Sequence, residues 1–194
     1  MVTGSSGSRR IRKRSPAPTV DVLRIGHRPG RDPRLTTHLA LAARALGARR
    51  MYLHPPDPAL AQRVEALRHP WGGAFTVTGV EEWRPVVRAF PGAVVHLTMY
   101  GEPLDRVAPK LRREPAILLV VGGAKVPSAL YRLATYNVAV GHQPHSEVAA
   151  LALALDRVLG LPGPVALPGA EQRIVPMRRG KQVVGVTHRG RARS

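Results

Sequence analysis

The stretch AILLVVGG at residues 116–123 contains six consecutive apolar residues followed by two glycines. A short apolar run without polar alternation is typical of a strand that is covered on both faces of a sheet. Five other β-prone runs alternate along the chain with amphipathic stretches. The pattern predicts strands at residues 20–26, 50–54, 74–79, 93–99, 116–121 and 136–140, and helices at residues 34–46, 58–68, 81–90, 103–112, 127–134 and 145–159.

This alternation of strands and helices predicts an α/β fold, in which a mostly parallel sheet is flanked by helices. Residues 1–19 are rich in Gly, Ser, Arg and Pro, and we expect them to form a flexible basic arm. Residues 20–160 are expected to form the α/β domain. Residues 161–194 are expected to form a β-prone C-terminal extension and tail, in which the runs at 173–175 and 182–186 suit an edge hairpin.

The charge of the chain is strongly positive. The 194 residues include 30 Lys and Arg against 12 Asp and Glu, which gives a net charge of +18. Arginine predominates, and its planar donor fork suits phosphate, so the sequence predicts a polyanionic partner such as nucleic acid. The alternative is that genome composition favours arginine and that the charge is simply solvated, although this does not explain the excess over acidic residues.

The composition also excludes several classes of protein. There are no cysteines, which excludes disulfides, thiolate zinc sites and cysteine nucleophiles. No apolar run approaches the ~18 residues that a membrane span needs, and the basic N-terminus is not followed by the apolar stretch of a secretory signal. We therefore expect a cytoplasmic protein that does not contact a membrane.

Three loops that follow predicted strands are candidates for a ligand site, because ligands of open parallel sheets bind beyond the carboxyl ends of the strands. These loops are residues 96–101, 122–127 and 141–147. Their glycines permit close approach to the backbone, and a small cofactor would suit such a cleft. Each loop could instead be only a turn or a helix cap. His142 and His145 lack a third ligand, so no metal site is predicted.

A second concentration of polar residues follows the first predicted strand. Arg24, Arg28, Arg31 and Arg34 lie within eleven residues, with His27 and Asp32 among them and His38 nearby. Crowding several positive charges is unfavourable unless anions lie among them. The cluster is either a phosphate clamp for RNA or a solvated basic loop.

Several of these segments resemble a known family, the archaeal tRNA (cytidine(56)-2′-O)-methyltransferases. The resemblance rests on residues 23–29, 31–32, 34 and 36–38, then on residues 96–101 and 125–127, and on the block NVAVGHQPHSEVAALA at 137–152. It covers residues 20–186, which is most of the chain. The family belongs to the SPOUT methyltransferases, so the resemblance implies a C-terminal trefoil knot, a homodimer, S-adenosylmethionine as cofactor and tRNA as partner.

The resemblance also implies which residues contact the cofactor. They are Leu97, Gly122, Gly123, Ala124, Lys125, Val126, Val140, Gly141, His142, Gln143, Pro144, His145, Ser146 and Glu147. Two positions depart from the family pattern, since Ala124 stands where Glu is common and His142 where Asn is usual. These departures motivate an alternative, a non-catalytic tRNA- or rRNA-binding protein that retains the SPOUT fold.

The implied reaction is methyl transfer to the ribose 2′-hydroxyl of cytidine 56 in the tRNA T-loop. Such an enzyme aligns the two reactants and eases loss of the hydroxyl proton. Related enzymes use an arginine of the first motif, but the equivalent position here holds Leu41. We therefore assign the catalytic role to Arg34, with Arg28 and His38 as further candidates, and RNA binding to Arg24, Arg28 and Arg31.

Overall fold

The computed structural model describes residues 16–31, 33–123, 125–163 and 166–186, and this part of the chain contains eight strands and seven helices. The strands are β1 (Thr19–Ile25), β2 (Arg50–His54), β3 (Thr76–Gly79), β4 (Ala93–Pro103), β5 (Ala116–Gly122), β6 (Tyr136–Ala139), β7 (Gln172–Val175) and β8 (Gln182–Gly185). The helices are α1 (Pro33–Ala45), α2 (Pro58–Glu65), α3 (Arg68–Trp71), α4 (Trp83–Ala89), α5 (Leu104–Leu111), α6 (Ser128–Leu133) and α7 (Glu147–Leu159).

The first six strands form one parallel sheet in the order β3-β2-β1-β5-β4-β6. The chain builds outward from β1 to β3, and then crosses to the other half of the sheet for β4, β5 and β6. The carboxyl-terminal part of β4 and the loops that follow β5 and β6 therefore meet at one end of the sheet, where open α/β sheets bind ligands.

Both faces of the sheet are buried, as the unbroken apolar run in β5 predicts. Ile117, Leu119 and Val121 face a core that also holds residues of α1, α2, α5 and α7. Leu118 and Val120 face a second core, to which α4 and α6 contribute. The predicted fold class, a mostly parallel α/β sheet flanked by helices, is confirmed.

The main difference from the predicted elements is in β4, which continues to Pro103 rather than ending at residue 99. Its pairing with β6 shifts register between Leu97 and Glu102. Gly101 permits this, because a Cβ there would lie 2.4 Å from the backbone of Asn137 and Val138. The sequence predicted one helix at residues 58–68, but the chain forms α2 and the short α3 instead.

The C-terminal segment forms an antiparallel hairpin of β7 and β8, as predicted, but the hairpin is a separate two-stranded sheet and does not extend an edge of the six-stranded sheet. The segment before it is held to the domain by the N–H of Gly73, which donates to the carbonyl of Pro168 at 2.9 Å. Most of the predicted arm, residues 1–15, and the tail residues 187–194 lie outside the described residues. Within the described part, no helix is long and apolar enough to cross a membrane.

Helix α7 places the alanines of one flank in two environments. The sequence predicts that this flank, formed by Ala149, Ala150, Ala152 and Ala154, permits close approach of a second subunit's backbone. Ala150 and Ala154 are buried, and they pack into the core that α7 shares with α1. Ala149 is exposed and Ala152 is partly buried, so the approach of a second subunit stays a prediction.

Candidate functional site

A cavity of about 320 Å³ opens at the carboxyl ends of β4 and β5, beside the start of α7. This volume lies at the lower end of the range for small-molecule sites, about 300–1,000 Å³. We call it the cofactor cavity. Its lining residues are His96, Leu97, Thr98, Met99, Tyr100, Val121, Gly122, Gly123, Val126, Tyr131, Val140, Gln143, Pro144, His145, Glu147 and Ala150.

The structure brings together nine of the fourteen residues assigned to the cofactor from the resemblance. They are Leu97, Gly122, Gly123, Val126, Val140, Gln143, Pro144, His145 and Glu147. Four others, Lys125, Gly141, His142 and Ser146, do not line the cavity wall, and Ala124 lies outside the described residues.

Two of these four residues have structural roles instead. Ser146 is the N-cap of α7, and its hydroxyl accepts a hydrogen bond from the N–H of Val148. His142 connects two of the loops, because its Nε2 donates to the carbonyl of Gly101 at 3.3 Å. The substitution of His for the family's Asn therefore leaves a polar link between the loop after β6 and the carboxyl-terminal part of β4.

Glu147 is the only acidic residue in the wall of the cavity, and the wall contains no lysine or arginine among the described residues. Its Oε2 lies 3.2 Å from Nη1 of Arg24, whose side chain is 1% exposed. Arg24 belongs to β1 and lies beside Val121 of β5 in the sheet. The Nε and Nη1 atoms of Arg24 have no hydrogen-bond partner in the described part of the chain. The buried arginine therefore pairs with the carboxylate on the side away from the cavity. The negative partner of the ion pair, Glu147, lines the cavity.

The glycine at the end of β5 leaves room for a ligand. A Cβ on Gly123 would meet Oε1 of Glu147 at 3.7 Å and Nη2 of Arg24 at 4.0 Å, with no closer neighbour. The space over this glycine is thus bordered by the carboxylate of Glu147. A glycine-lined cavity with a single ionised group, which is negative, fits a small cofactor that carries a positive charge.

A buried polar network supports the other side of the cavity. The side-chain N–H of Asn137 donates to the carbonyl of Tyr131 at 2.9 Å, which leaves Oδ1 of Asn137 to accept from Nδ1 of His96 at 2.9 Å. Burial lowers the pKa of His96, and the hydrogen bond to Asn137 opposes this only in part. His96 is therefore neutral at pH 7, and its ring packs edge-on against that of Tyr131.

The arginine cluster is divided by the fold, which corrects the assignment of Arg24. Because Arg24 is buried, it does not reach an RNA phosphate at the surface. Arg28 and Arg31 are exposed in the loop after β1. Arg34 and His38 line a separate cleft of about 260 Å³ with Thr37 and Arg63. We call it the basic cleft, and it shares no lining residue with the cofactor cavity.

A second buried network holds the loop after β1. His27 is 2% exposed, with Nδ1 2.8 Å from the hydroxyl of Thr36 and Nε2 3.1 Å from Oδ2 of Asp57. The N–H of Leu60 donates to Asp57 and lowers the pKa of that carboxyl, and the hydrogen bond to His27 and the charge of Arg63 act in the same direction. The network connects the loop after β1, α1 and the N-cap of α2, so it fixes the backbone that carries Arg28 and Arg31.

Sequence reasoning did not single out Arg63, Tyr131 or Asn137 as site residues. Asn137 lies within a block that resembles the family, but nothing in a single sequence shows that it meets His96 across 41 positions. Arg63 is one of many arginines, and only the packing of α2 against α1 distinguishes it. No group of three or more metal-ligating side chains occurs among the described residues.

The fold is similar to that of methyltransferases of known structure. The structure is similar to the SpoU methyltransferase AviRb from Streptomyces viridochromogenes in complex with AdoMet, with a TM-score of 0.53 and 16% identity over 79% of this chain and 61% of that chain. It is also similar to an AdoMet-bound rRNA methyltransferase from Sinorhizobium meliloti, with a TM-score of 0.54 and 21% identity over 74% of this chain and 56% of that chain. The fold is therefore that of the SPOUT methyltransferases.

The sequence then identifies the family. Residues 71–184 match the family described as tRNA ribose 2′-O-methyltransferase, aTrm56. Curated tRNA (cytidine(56)-2′-O)-methyltransferases are similar over 85% of this chain: that of Archaeoglobus fulgidus is 46% identical over 98% of its length, and that of Pyrococcus abyssi is 48% identical over 87% of its length. The chain belongs to this family of tRNA ribose 2′-O-methyltransferases.

Proposed function

We propose that this protein transfers a methyl group from S-adenosylmethionine to the ribose 2′-hydroxyl of cytidine 56 in the T-loop of tRNA. The observation that carries the proposal is the cofactor cavity, which assembles nine residues of the family's cofactor loops around Gly123 and Glu147. The extent of similarity to the archaeal cytidine-56 enzymes supports the choice of nucleotide. The cytoplasm, where tRNA is found, is the compartment that we propose.

The residues of the cavity have distinct tasks in this proposal. The cofactor, when bound, supplies a methyl group that is already activated on a sulfonium. Gly122 and Gly123 allow it to approach the end of β5, and the carboxylate of Glu147 complements its net positive charge. Leu97 and Val126 supply apolar surface that excludes water. The protein mainly holds the donor in line with the hydroxyl, which lowers the entropic cost of the transfer.

The assignment of hydroxyl activation to Arg34, Arg28 or His38 stays a prediction from the sequence. None of these residues lines the cofactor cavity of its own chain. We propose a homodimer with a trefoil knot in each subunit, in which the arginines of one subunit contact RNA that is bound at the cavity of the other. Light scattering over a micromolar dilution series tests the dimer, and a persistent 21.0 kDa monomer with full activity would contradict it.

The decisive experiment uses an unmodified tRNA transcript, the full-length protein and radiolabelled S-adenosylmethionine. We expect one methyl group per transcript, located at the ribose of cytidine 56. A matched transcript with 2′-deoxycytidine at position 56 lacks the acceptor hydroxyl and should receive none. Labelling at another nucleotide would overturn the choice of position. Tight tRNA binding without any transfer would instead support the alternative, a non-catalytic RNA-binding protein with this fold.

A further inference from the structure

The basic cleft has no role in the cofactor site. It lies where α1 and α2 pack side by side, and both helices follow strands on the other half of the sheet. Arg34 and His38 are four positions apart on α1, so they present their side chains on one helical face. Arg63 of α2 completes the cleft from the opposite wall, and Arg34, His38 and Arg63 are all exposed.

In the part of the chain that the structure describes, neither arginine of the cleft forms an ion pair with a carboxylate. The ion pairs found among the described residues include neither Arg34 nor Arg63, whereas Arg49 pairs with Asp21 at 2.7 Å and Arg157 with Asp105 at 3.0 Å. Two unpaired guanidinium groups that border one concavity repel each other, and an anion between them would reverse the sign of the interaction.

Asp57 is the carboxylate whose charge interacts with Arg63, but both of its oxygens are already engaged. Oδ1 accepts from the N–H of Leu60 at 2.9 Å, and Oδ2 lies 3.1 Å from Nε2 of His27. Asp57 therefore lowers the local positive charge without occupying the donors of Arg63. With respect to the described residues, the N–H groups of both arginines remain available to an anion from outside the chain.

The position of the cleft indicates which anion it takes. In the sheet, β1 and β2 are two and three strands from β4, which corresponds to roughly 10–15 Å at a spacing of about 4.8 Å per strand. Arg34 and His38 lie in the first half of α1, which begins after the carboxyl end of β1, so the cleft lies toward the same end of the sheet as the cofactor cavity. We propose that the basic cleft, formed by Arg34, His38 and Arg63, binds one phosphodiester group of the substrate RNA.

This inference rests on the proposed function, since it takes tRNA as the substrate. A carboxylate of a second copy of the chain is a weaker candidate, because the chain carries only 12 acidic residues against 30 basic ones. Arginine also binds phosphate through two parallel hydrogen bonds, and each good charge-assisted contact adds affinity that depends on salt.

The test measures the binding of an unmodified tRNA transcript between 50 and 400 mM salt, without methyl donor. Arg63→Gln should weaken binding roughly tenfold and make the slope of log affinity against log salt shallower by about 0.7–0.9. Arg34→Gln should do the same. If both arginines hold the same phosphate, the slope of log affinity against log salt in the double variant should be shallower by about 0.7–0.9 in total, not by twice that amount.

Arg113→Gln is the matched control, because Arg113 is exposed just before β5, at the opposite end of the sheet. It removes the same charge and should leave the slope unchanged. The proposal would be overturned by an equal change of slope in Arg63→Gln and Arg113→Gln, or by an unchanged slope in Arg63→Gln. A shift in the dimer equilibrium of Arg63→Gln with unaltered RNA binding would also contradict the proposal, and it would indicate that the cleft contacts a second copy of the chain.

The experiments distinguish failure of the phosphate site from failure of the proposed methyl transfer. Calorimetry with S-adenosylmethionine should show equal cofactor affinity in Arg63→Gln and the parent protein, which establishes that the cavity is intact. If the slope changes as expected but the transcript is never methylated, the phosphate site stands and the proposed reaction falls. If methylation occurs at cytidine 56 and the slope is unaffected, the reaction stands and the cleft is not a phosphate site.

Discussion

Nη1 of Arg24 lies 3.2 Å from Oε2 of Glu147, and this ion pair joins the central strand β1 to the first turn of α7. The two partners differ in environment, since the side chain of Arg24 is 1% exposed and that of Glu147 is 23% exposed. Removing one partner leaves the other charge uncompensated, and the cost grows with the burial of the residue that remains.

The pair therefore predicts an asymmetry in stability. Glu147→Gln should lower the free energy of unfolding by roughly 3 kcal/mol, because it leaves the buried guanidinium unpaired. Arg24→Met should cost less, since the remaining carboxylate can turn toward solvent. The double variant should recover part of the loss. Urea denaturation of all four proteins measures this, and strictly additive losses would show that the two residues do not interact.

The cavity predicts a way to block the cofactor without unfolding the protein. Gly123→Val should abolish binding of S-adenosylmethionine, because its side chain would occupy the space beside Glu147 while its Cβ meets no atom closer than 3.7 Å. Calorimetry measures the affinity, and circular dichroism checks the fold. Gly163→Val is the control, since a Cβ there has no neighbour within 4 Å. Unchanged affinity in a folded Gly123→Val protein would remove this glycine from the site.

Arg34 distinguishes a binding role from a chemical one. If Arg34 holds a phosphate, Arg34→Ala should raise KM for tRNA roughly tenfold and leave the rate at saturating tRNA within a few-fold of the parent rate. Single-turnover methylation over a range of tRNA concentrations separates the two effects. A loss on the order of 10²-fold at saturating tRNA would instead support the sequence-based assignment to hydroxyl activation.

His96 predicts a dependence of stability on pH. Its pKa in the folded state lies below the ordinary value of 6.5 because the ring is buried. Between these two values the unfolded chain binds more protons than the folded one, so His96 makes the protein less stable as the pH falls from 7.5 to 5.5.

The measurement compares the parent protein with His96→Asn by urea denaturation at several pH values. Asparagine retains an N–H that can donate to Oδ1 of Asn137, so the variant removes the titration while keeping a donor. The free energy of unfolding of His96→Asn should vary less over this pH range. Parallel curves for the two proteins would show that His96 does not titrate differently in the folded and unfolded states.

The sequence predicted the class of fold because its decisive signals are local. The unbroken apolar run at 116–121 requires cover on both faces, and the regular alternation of strand and helix patterns leaves few arrangements other than a parallel sheet. The cofactor loops could also be predicted, because the motifs that resemble the family are continuous segments of the chain. Nine of the fourteen assigned residues line one cavity.

Burial and long-range contacts were decided only by the tertiary structure. Arg24 belongs to a cluster of arginines in the sequence, but it lies on a strand that is covered on both faces, and its side chain is buried beside Glu147. Arg34 comes ten residues later, yet it lies in a cleft with Arg63 from another helix. A pattern in one sequence shows the residue types that are available. Which charges meet, and which of them are withdrawn from water, depends on helices and strands that are far apart in the chain.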